Sequence, residues 1–164
     1  MHIITDERCL KYSQPGHPER PQRVAATLEF LRAQKEIKII WDKPALAKEG
    51  LIKKAHILEH IHLVENPIDT FDADTPNYPD IDAHARRSVG GALRALELAQ
   101  KNKPNFSLLR PPGHHATKKK AMGFCFFNSI AITALAARSA GIKKVAVFDF
   151  DVHHGNGTED ILRK

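Results

Sequence analysis

VAVFDFDVHHGNGT, residues Val145–Thr158, is the stretch that decides the fold predicted from this sequence. An apolar run ends in acidic residues, which are followed by two histidines and Gly-Asn-Gly. A buried parallel strand is typically a continuous run of β-branched and aromatic residues. Open α/β sheets carry their functional sites at the carboxyl ends of such strands. We therefore predict a central parallel strand over residues 145–150, with a site directly after it.

The residues after this strand contain a pattern that suits a metal ion. Side chains alternate between the two faces of a strand, so Asp149, Asp151 and His153 share one face. Neighbours on that face lie about 6–7 Å apart, so Asp151 and His153 can bind one ion through bonds of about 2.0–2.2 Å. A carboxylate and an imidazole are half of a zinc site. The remaining ligands must come from elsewhere.

The rest of the chain alternates between predicted strands and helices. We expect strands at residues 1–5 (an edge strand), 37–41 and 105–109. We expect helices at 21–34, 51–65 (in one or two pieces), 80–101, 128–140 and from about 158. This alternation predicts an α/β fold, a parallel sheet with helices on both faces. The last helix is short and the central strand lacks a neighbour. We therefore expect the chain, residues 1–164, to be the N-terminal part of a single truncated domain whose remainder is absent.

Composition excludes several classes of protein. The 164 residues are 42% hydrophobic and 27% charged, which is ordinary for a globular protein. No apolar run approaches the roughly 20 residues of a membrane span, and the first residues do not resemble a signal peptide. Two cysteines are too few for a disulfide framework, so we expect a cytoplasmic protein. The net charge is +6, but the basic residues are dispersed, so we do not expect nucleic-acid binding.

Two adjacent histidines follow a rigid turn. His114 and His115 come after Arg-Pro-Pro-Gly, a sequence that cannot be helical. Each imidazole can bond to a separate orienting partner, and Asp149 and Asn156 are the natural candidates. Such a pair can transfer protons in catalysis because a partner sets the tautomer of each ring. The loops 110–116, 122–128 and 149–157 should therefore meet at one edge of the sheet.

At this point the motifs indicate a family. RPPGHHA (110–116), MGFCFFN (122–128) and DFDVHHGNGT (149–158) resemble the zinc-dependent histone deacetylase family, including its bacterial acetylpolyamine amidohydrolase and acetoin-utilisation relatives. GHPERPQR (16–23) is similar to the amino-terminal signature of that family. The resemblance implies the arginase/deacetylase-like three-layer α/β/α fold. Asn156 stands where many relatives have aspartate, which resembles the class II and bacterial branch.

The resemblance also implies the metal ligands and the acid–base groups. Asp151 and His153 would be two of three zinc ligands, and with Asp149 they would supply a structural potassium site. His114 would pair with Asp149. His115 would pair with Asn156 and act as the main general base and acid.

Further residues match the substrate-binding positions of the family. Gly123 and Phe124 would line a narrow channel for an acylated side chain. Asp74 would bind the substrate backbone at the rim. Arg23 resembles the arginine of an internal exit channel.

The implied activity is zinc-dependent hydrolysis of the amide of an acetylated lysine or a polyamine-type amine. The third zinc ligand and the oxyanion-stabilising tyrosine or histidine of the family belong to later motifs, which these residues do not include. We therefore expect the chain to be inactive alone. The alternative is a non-catalytic remnant or a half-domain that needs a partner chain or associates with itself through an open sheet edge.

A second alternative comes from another class of enzyme. Asp149-Phe150-Asp151 superficially resembles the Asp-x-Asp motif of phosphatases with an aspartate nucleophile. Those enzymes need a small residue and Thr or Val directly after the second aspartate. Val152, His153 and His154 follow Asp151 here, which disfavours that interpretation.

Overall fold

The computed structural model of the chain describes residues 1–163 and contains a parallel sheet. Its three strands are β1 (His2–Ile4), β2 (Ile40–Asp42) and β3 (Asn105–Ser107), in the order β2-β1-β3. Ile3 and Ile4 point to opposite faces of β1, and both are buried, so other elements cover both faces of the sheet there. The edge position predicted for residues 1–5 is wrong, because β1 pairs with a strand on each side.

The helices follow the predicted alternation, which confirms the α/β fold. They are α1 (Gln22–Ala33), α2 (Glu49–Ile52), α3 (Leu58–Glu65), α4 (Ile81–Ala99), α5 (Ser129–Ser139) and α6 (Asn156–Leu162). The stretch 51–65, predicted to be helical in one or two pieces, contains two separate helices. None of the helices described over residues 1–163 has the length and apolarity that crossing a membrane requires.

Helix α4 organises the packing. It lies along β1 and β3 and contacts α3 and α5. A Cβ atom on Gly90 would lie 1.7 Å from the carbonyl oxygen of Ala45, so this close approach requires glycine. The main core lies among α3, α4 and α5, and its members include Ile52, Ile61, Val64, Val89, Phe126, Phe127 and Ile132. A smaller cluster of Cys9, Val24 and Leu28 packs against Leu108 and Leu109.

The predicted central strand at 145–150 is wrong for the described chain. This segment has no strand assignment, and Phe148 and Phe150 are 88% and 86% exposed. A strand is stabilised by hydrogen bonds to a neighbouring strand. The sheet of residues 1–163 consists of β1, β2 and β3, which supply no neighbour for this segment. The apolar pattern records the strand propensity of these residues, but it does not specify a partner strand.

Two buried histidines connect α3 to the loops after β3. His56 donates from Nδ1 to the carbonyl oxygen of Thr117 (2.8 Å) and accepts at Nε2 from the backbone N–H of Asn128 (2.9 Å). His60 donates from Nε2 to the carbonyl oxygen of Phe126 (2.8 Å). The two bonds of His56 require its neutral form, because a protonated ring has no acceptor. Burial lowers the pKa of His56 to about 3 and also lowers the pKa of His60.

We expect the free energy of unfolding to fall as the solution is acidified from about pH 7 to about pH 5. An unfolded histidine takes up a proton near a pKa of about 6.5, whereas folded His56 remains neutral until about 3. The unfolded state therefore binds more protons in this range. Stability should fall by up to about 1.4 kcal/mol per pH unit for each such histidine. Urea denaturation across this range measures the slope.

His56→Gln should reduce this slope, because the substituted side chain does not titrate. The matched control is His62→Gln, which changes an exposed histidine on α3, six residues further along the chain, and should retain the wild-type slope. Equal slopes in the two variants would contradict the role of His56.

Candidate active site

Loops from distant parts of the chain surround one cleft of about 350 Å³. Its lining residues are Pro18, Glu19, Arg23, Asp74, Pro112, His114, His115, Gly123, Phe124, Asp151 and His153. The structure thus brings the predicted site residues to one place, except for Asp149 and Asn156. Those two lie behind the histidines and bond to them. The functional roles of these residues stay predictions.

His114 is oriented by a carboxylate. Its Nδ1 lies 2.9 Å from Oδ2 of Asp149, so Nδ1 carries the proton and the carboxylate accepts it. Burial acts to raise the pKa of Asp149, but the hydrogen bonds from His114 and from the backbone N–H of Asp151 outweigh it and hold that pKa below its usual value. Asp149 is therefore ionised at neutral pH, and Nε2 of His114 is the nitrogen that can accept a proton.

His115 is oriented by an uncharged amide. Its Nδ1 donates to Oδ1 of Asn156 at 2.6 Å, which leaves Nε2 as the basic nitrogen. The Nδ2 group of Asn156 lies 3.5 Å from the carbonyl oxygen of His115 and 3.6 Å from Sδ of Met122, and these contacts fix the orientation of the amide. The rings of His114 and His115 are 4.0 Å apart. The cleft therefore contains two neighbouring imidazoles whose tautomers are set by different partners.

Asp151 and His153 also lie in the cleft and offer donor atoms of the types that zinc prefers. Oδ1 of Asp151 and Nδ1 of His153 are 3.0 Å apart. A tetrahedral zinc ion with bonds of about 2.0–2.2 Å keeps its ligand atoms about 3.3–3.6 Å apart, so small movements would allow both to bind one ion. The backbone N–H of His153 helps to hold the pKa of Asp151 below its usual value, which keeps the carboxylate ionised.

The donor set fits zinc in type but not in number. Within residues 1–163, no group of three or more His, Cys, Asp or Glu side chains is placed to hold a metal ion. The side chains of Asp151 and His153 are also 45% and 73% exposed. A catalytic zinc site usually has three protein ligands, so these two residues form an incomplete site. The potassium site implied at Asp149, Asp151 and His153 stays a prediction.

A turn of residues 122–125, here called the wall turn, forms one side of the cleft. Gly123 and Phe124 both have positive φ angles, +55° and +69°. A Cβ atom on Gly123 would lie 2.5 Å from Cδ2 of His115, so the backbone of the turn lies directly against that imidazole. The ring of His17 meets Phe124 edge-on at 4.9 Å and also bonds through Nε2 to the carbonyl oxygen of Asp74 (3.1 Å).

Some lining residues were not predicted. Glu19 and Pro18 belong to the GHPERPQR motif, and that motif was the signal that could have identified them. Glu19 is 2% exposed and forms an ion pair with Arg110. Arg110 is the first residue of the loop 110–116, which contains His114 and His115. Arg23 lies at the cleft with Nη1 3.8 Å from Oε1 of Glu19. Thr75 contacts the wall turn, but no local pattern around it indicates this role.

Comparison with known proteins identifies a matching family model and several similar proteins. Residues 17–164 match the family model described as the histone deacetylase domain. The chain is 38% identical over 167 residues to a protein of Methanothermobacter thermautotrophicus named "Probable deacetylase", covering 99% of this chain and 50% of that protein. It is 37% identical over 174 residues to histone deacetylase 15 of Arabidopsis thaliana, covering 97% of this chain and 31% of that protein.

A bacterial relative and a solved structure agree with these matches. The chain is 38% identical over 154 residues to a histone deacetylase-like amidohydrolase of Pseudomonas aeruginosa, covering 89% of this chain and 40% of that protein. The crystal structure of the HDA15 HD domain matches with a TM-score of 0.86 and 33% identity, over 98% of this chain and 49% of that chain. The chain therefore spans about half the length, or less, of these relatives.

We expect the two cysteines to resist alkylation in the folded chain. Cys125 lies in the wall turn and is fully buried, and burial raises its pKa to about 12. Cys9 is also buried, and burial raises its pKa. Because the thiolate is the reactive form, iodoacetamide at about pH 8 should modify neither residue until the chain is denatured. Mass spectrometry measures this, and modification of native Cys125 would contradict the packing of the wall turn.

Proposed function

The chain belongs to the histone deacetylase family, and from that premise we propose that it carries the acid–base part of an active site for amide hydrolysis. The substrate class is an acylated amine, such as an acetylated lysine or an acetylated polyamine. The observation that supports this most directly is the shared cleft, in which His114 and His115 lie beside the donor pair Asp151 and His153.

His115 is the proposed general base and acid. With Nδ1 bonded to Asn156, its Nε2 removes a proton from the attacking water and later delivers it to the leaving amine. The neutral amide of Asn156 sets the tautomer without adding negative charge. His114, supported by the Asp149 carboxylate, stabilises the developing charge beside it.

Asp151 and His153 are the proposed ligands of a zinc ion. When bound, zinc would act as a Lewis acid on the acyl oxygen and lower the pKa of water to about 7. A catalytic zinc usually has three protein ligands, so we infer that another polypeptide segment supplies the third. We further propose that Asp149, Asp151 and His153 contribute to a potassium site, as the family resemblance implies.

The walls of the cleft suit a narrow acylated chain. The proposed channel has the ring of Phe124 and the backbone of Gly123 on one side, directly above His115. Asp74 lies at the rim and would accept a hydrogen bond from the substrate backbone. A flexible apolar arm ending in an amide would bring that amide to the imidazoles.

A second candidate function is a half-domain that acts with a partner chain. Phe148, Phe150 and Val152 are 88%, 86% and 92% exposed. Exposed apolar residues of this kind favour pairing with strands of another chain or of a second copy. The partner would then complete both the sheet and the metal site.

Zinc titration by calorimetry tests the ligand pair. Even the hydrogen-bond partners of metal ligands typically contribute about 10–100-fold in affinity, so Asp151→Ala and His153→Ala should each weaken binding by at least about tenfold. The control His154→Ala changes the adjacent exposed histidine, which pairs with Glu159 instead, and should leave affinity unchanged. Equal affinity in all three variants would exclude Asp151 and His153 as ligands.

Activity is tested in two proteins, the chain alone and a chimera in which it replaces the matching half of the Methanothermobacter relative. The chain alone should hydrolyse an acetyl-lysine reporter slowly or not at all, because the metal site is incomplete. The chimera should be active, and His115→Ala should reduce its kcat by about 10²–10⁴, the usual contribution of a general acid–base residue.

In the chimera, His154→Ala again serves as the control and should retain activity. If His115→Ala and His154→Ala were equally active, His115 could not be the general base. Strong zinc-dependent turnover by the chain alone would instead show that residues within it complete the site.

A further inference from the structure

Phe124 has a backbone conformation that an aromatic residue rarely adopts. Its φ of +69° lies in the left-handed region, which is uncommon for bulky side chains because Cβ approaches the backbone closely. Such a conformation persists only where surrounding contacts enforce it, and these positions cluster at functional sites. The surroundings of Phe124 therefore identify what holds the wall turn in place.

The contacts that enforce this conformation come from within the turn and from one distant side chain. Within the turn, the backbones of Met122 and Cys125 exchange two hydrogen bonds, of 3.1 and 3.0 Å. From outside, Oγ1 of Thr75 accepts the backbone N–H of Phe124 at 3.0 Å. Thr75 is 0% exposed, so its hydroxyl approaches this N–H from the protein interior.

Thr75 is itself held by the segment of residues 71–75, here called the rim segment. Its carbonyl oxygen accepts the N–H of Phe71 at 2.9 Å, and its own N–H donates to the carbonyl oxygen of Asp72 at 3.4 Å. The preceding residue, Asp74, accepts at its carbonyl oxygen from His17, whose ring packs against Phe124. The rim segment and the wall turn are therefore joined at two points, and the Thr75 hydroxyl is the point that reaches the strained backbone.

The wall turn has little freedom to relax elsewhere. Gly123 lies against the ring of His115, and the Cys125 thiol donates to the carbonyl oxygen of Gly123 at 3.3 Å. Movement toward His115 is blocked by that ring. If the Phe124 N–H lost its acceptor, a donor that faces the buried Thr75 side chain would lose its hydrogen bond, which is unfavourable. The turn would then change its φ angles and carry the Phe124 ring away from the rim segment.

We propose that Thr75 is a positioning residue that holds Phe124 in the left-handed conformation and so sets the width of the cleft beside His115. The part that concerns substrate width rests on the proposed function. The part that concerns the backbone of Phe124 does not. The consequence is that Thr75, which contacts no proposed reacting group, determines which acyl chains the cleft admits.

Hydrogen exchange measured residue by residue tests the backbone part. Thr75→Val keeps the shape of the side chain but removes the acceptor, and it should accelerate exchange of the Phe124 amide by at least about tenfold. Thr75→Ser keeps the hydroxyl and should restore protection. Thr70→Val, an exposed threonine of the same loop, is the control and should match the wild type. Unchanged protection of Phe124 in Thr75→Val would overturn the proposal.

A measurement on the unmodified chain covers the case in which Thr75→Val does not fold. The φ-dependent NMR couplings of Phe124 should report a positive φ angle. A negative value would overturn the proposal without any variant.

Ligand titration tests the part of the proposal that concerns the width of the cleft beside His115. Chemical-shift titrations with Nε-acetyl-lysine and Nε-hexanoyl-lysine amides give the affinity ratio of a short and a long acyl chain. Thr75→Val should change this ratio by about threefold or more in favour of the longer chain, while Thr75→Ser and Thr70→Val should not. If exchange at Phe124 changes and the ratio does not, the inferred control of width is wrong. If neither ligand binds the unmodified cleft, the proposed function fails, and the exchange data still decide the role of Thr75.

Discussion

The buried ion pair between Arg110 and Glu19 is the constraint on which the arrangement of the site depends. Both side chains are 2% exposed, and the guanidinium donates to the two carboxylate oxygens at 2.5 and 2.6 Å. Arg110 also donates to the carbonyl oxygens of Cys9 and Tyr12, and it lies 4.0 Å over the Tyr12 ring. Removing one partner of such a pair typically costs about 3–5 kcal/mol, because the other charge stays buried. This pair joins the amino-terminal loop to the loop that carries both histidines.

Behind the histidines, Asn128 joins the remaining loops. Its Nδ2 donates to the carbonyl oxygen of Ala116 at 3.0 Å, and its Oδ1 caps α5 by accepting the N–H of Ala131 at 3.0 Å. The N–H of Thr158, near the start of α6, donates to the carbonyl oxygen of His114 at 3.1 Å. Both sides of the histidine loop are thus fixed by buried hydrogen bonds, which hold the imidazoles in place without substrate.

The two parts of the site are therefore supported to different degrees. The acid–base part is built on packed loops, and its orienting partners are in hydrogen-bond contact with the rings. The donor pair Asp151 and His153 lies at the end of the exposed segment 145–150, which has no neighbouring strand among residues 1–163. Of the two proposed roles, proton transfer relies on groups that are already in contact within this chain, whereas metal binding relies on further contacts.

By itself, the sequence determined the family, the alternation of strands and helices and most of the residues gathered at the cleft, because long motifs and local spacing specify these features. The family resemblance implied the pairing of His114 with Asp149 and of His115 with Asn156, and both contacts are present in the structure. Only the tertiary structure decided that β1 is central, that segment 145–150 forms no strand among residues 1–163 and that Thr75 reaches Phe124. These features depend on contacts between residues far apart in the chain, and a local pattern records a residue's preference for a conformation but not the partner that stabilises it.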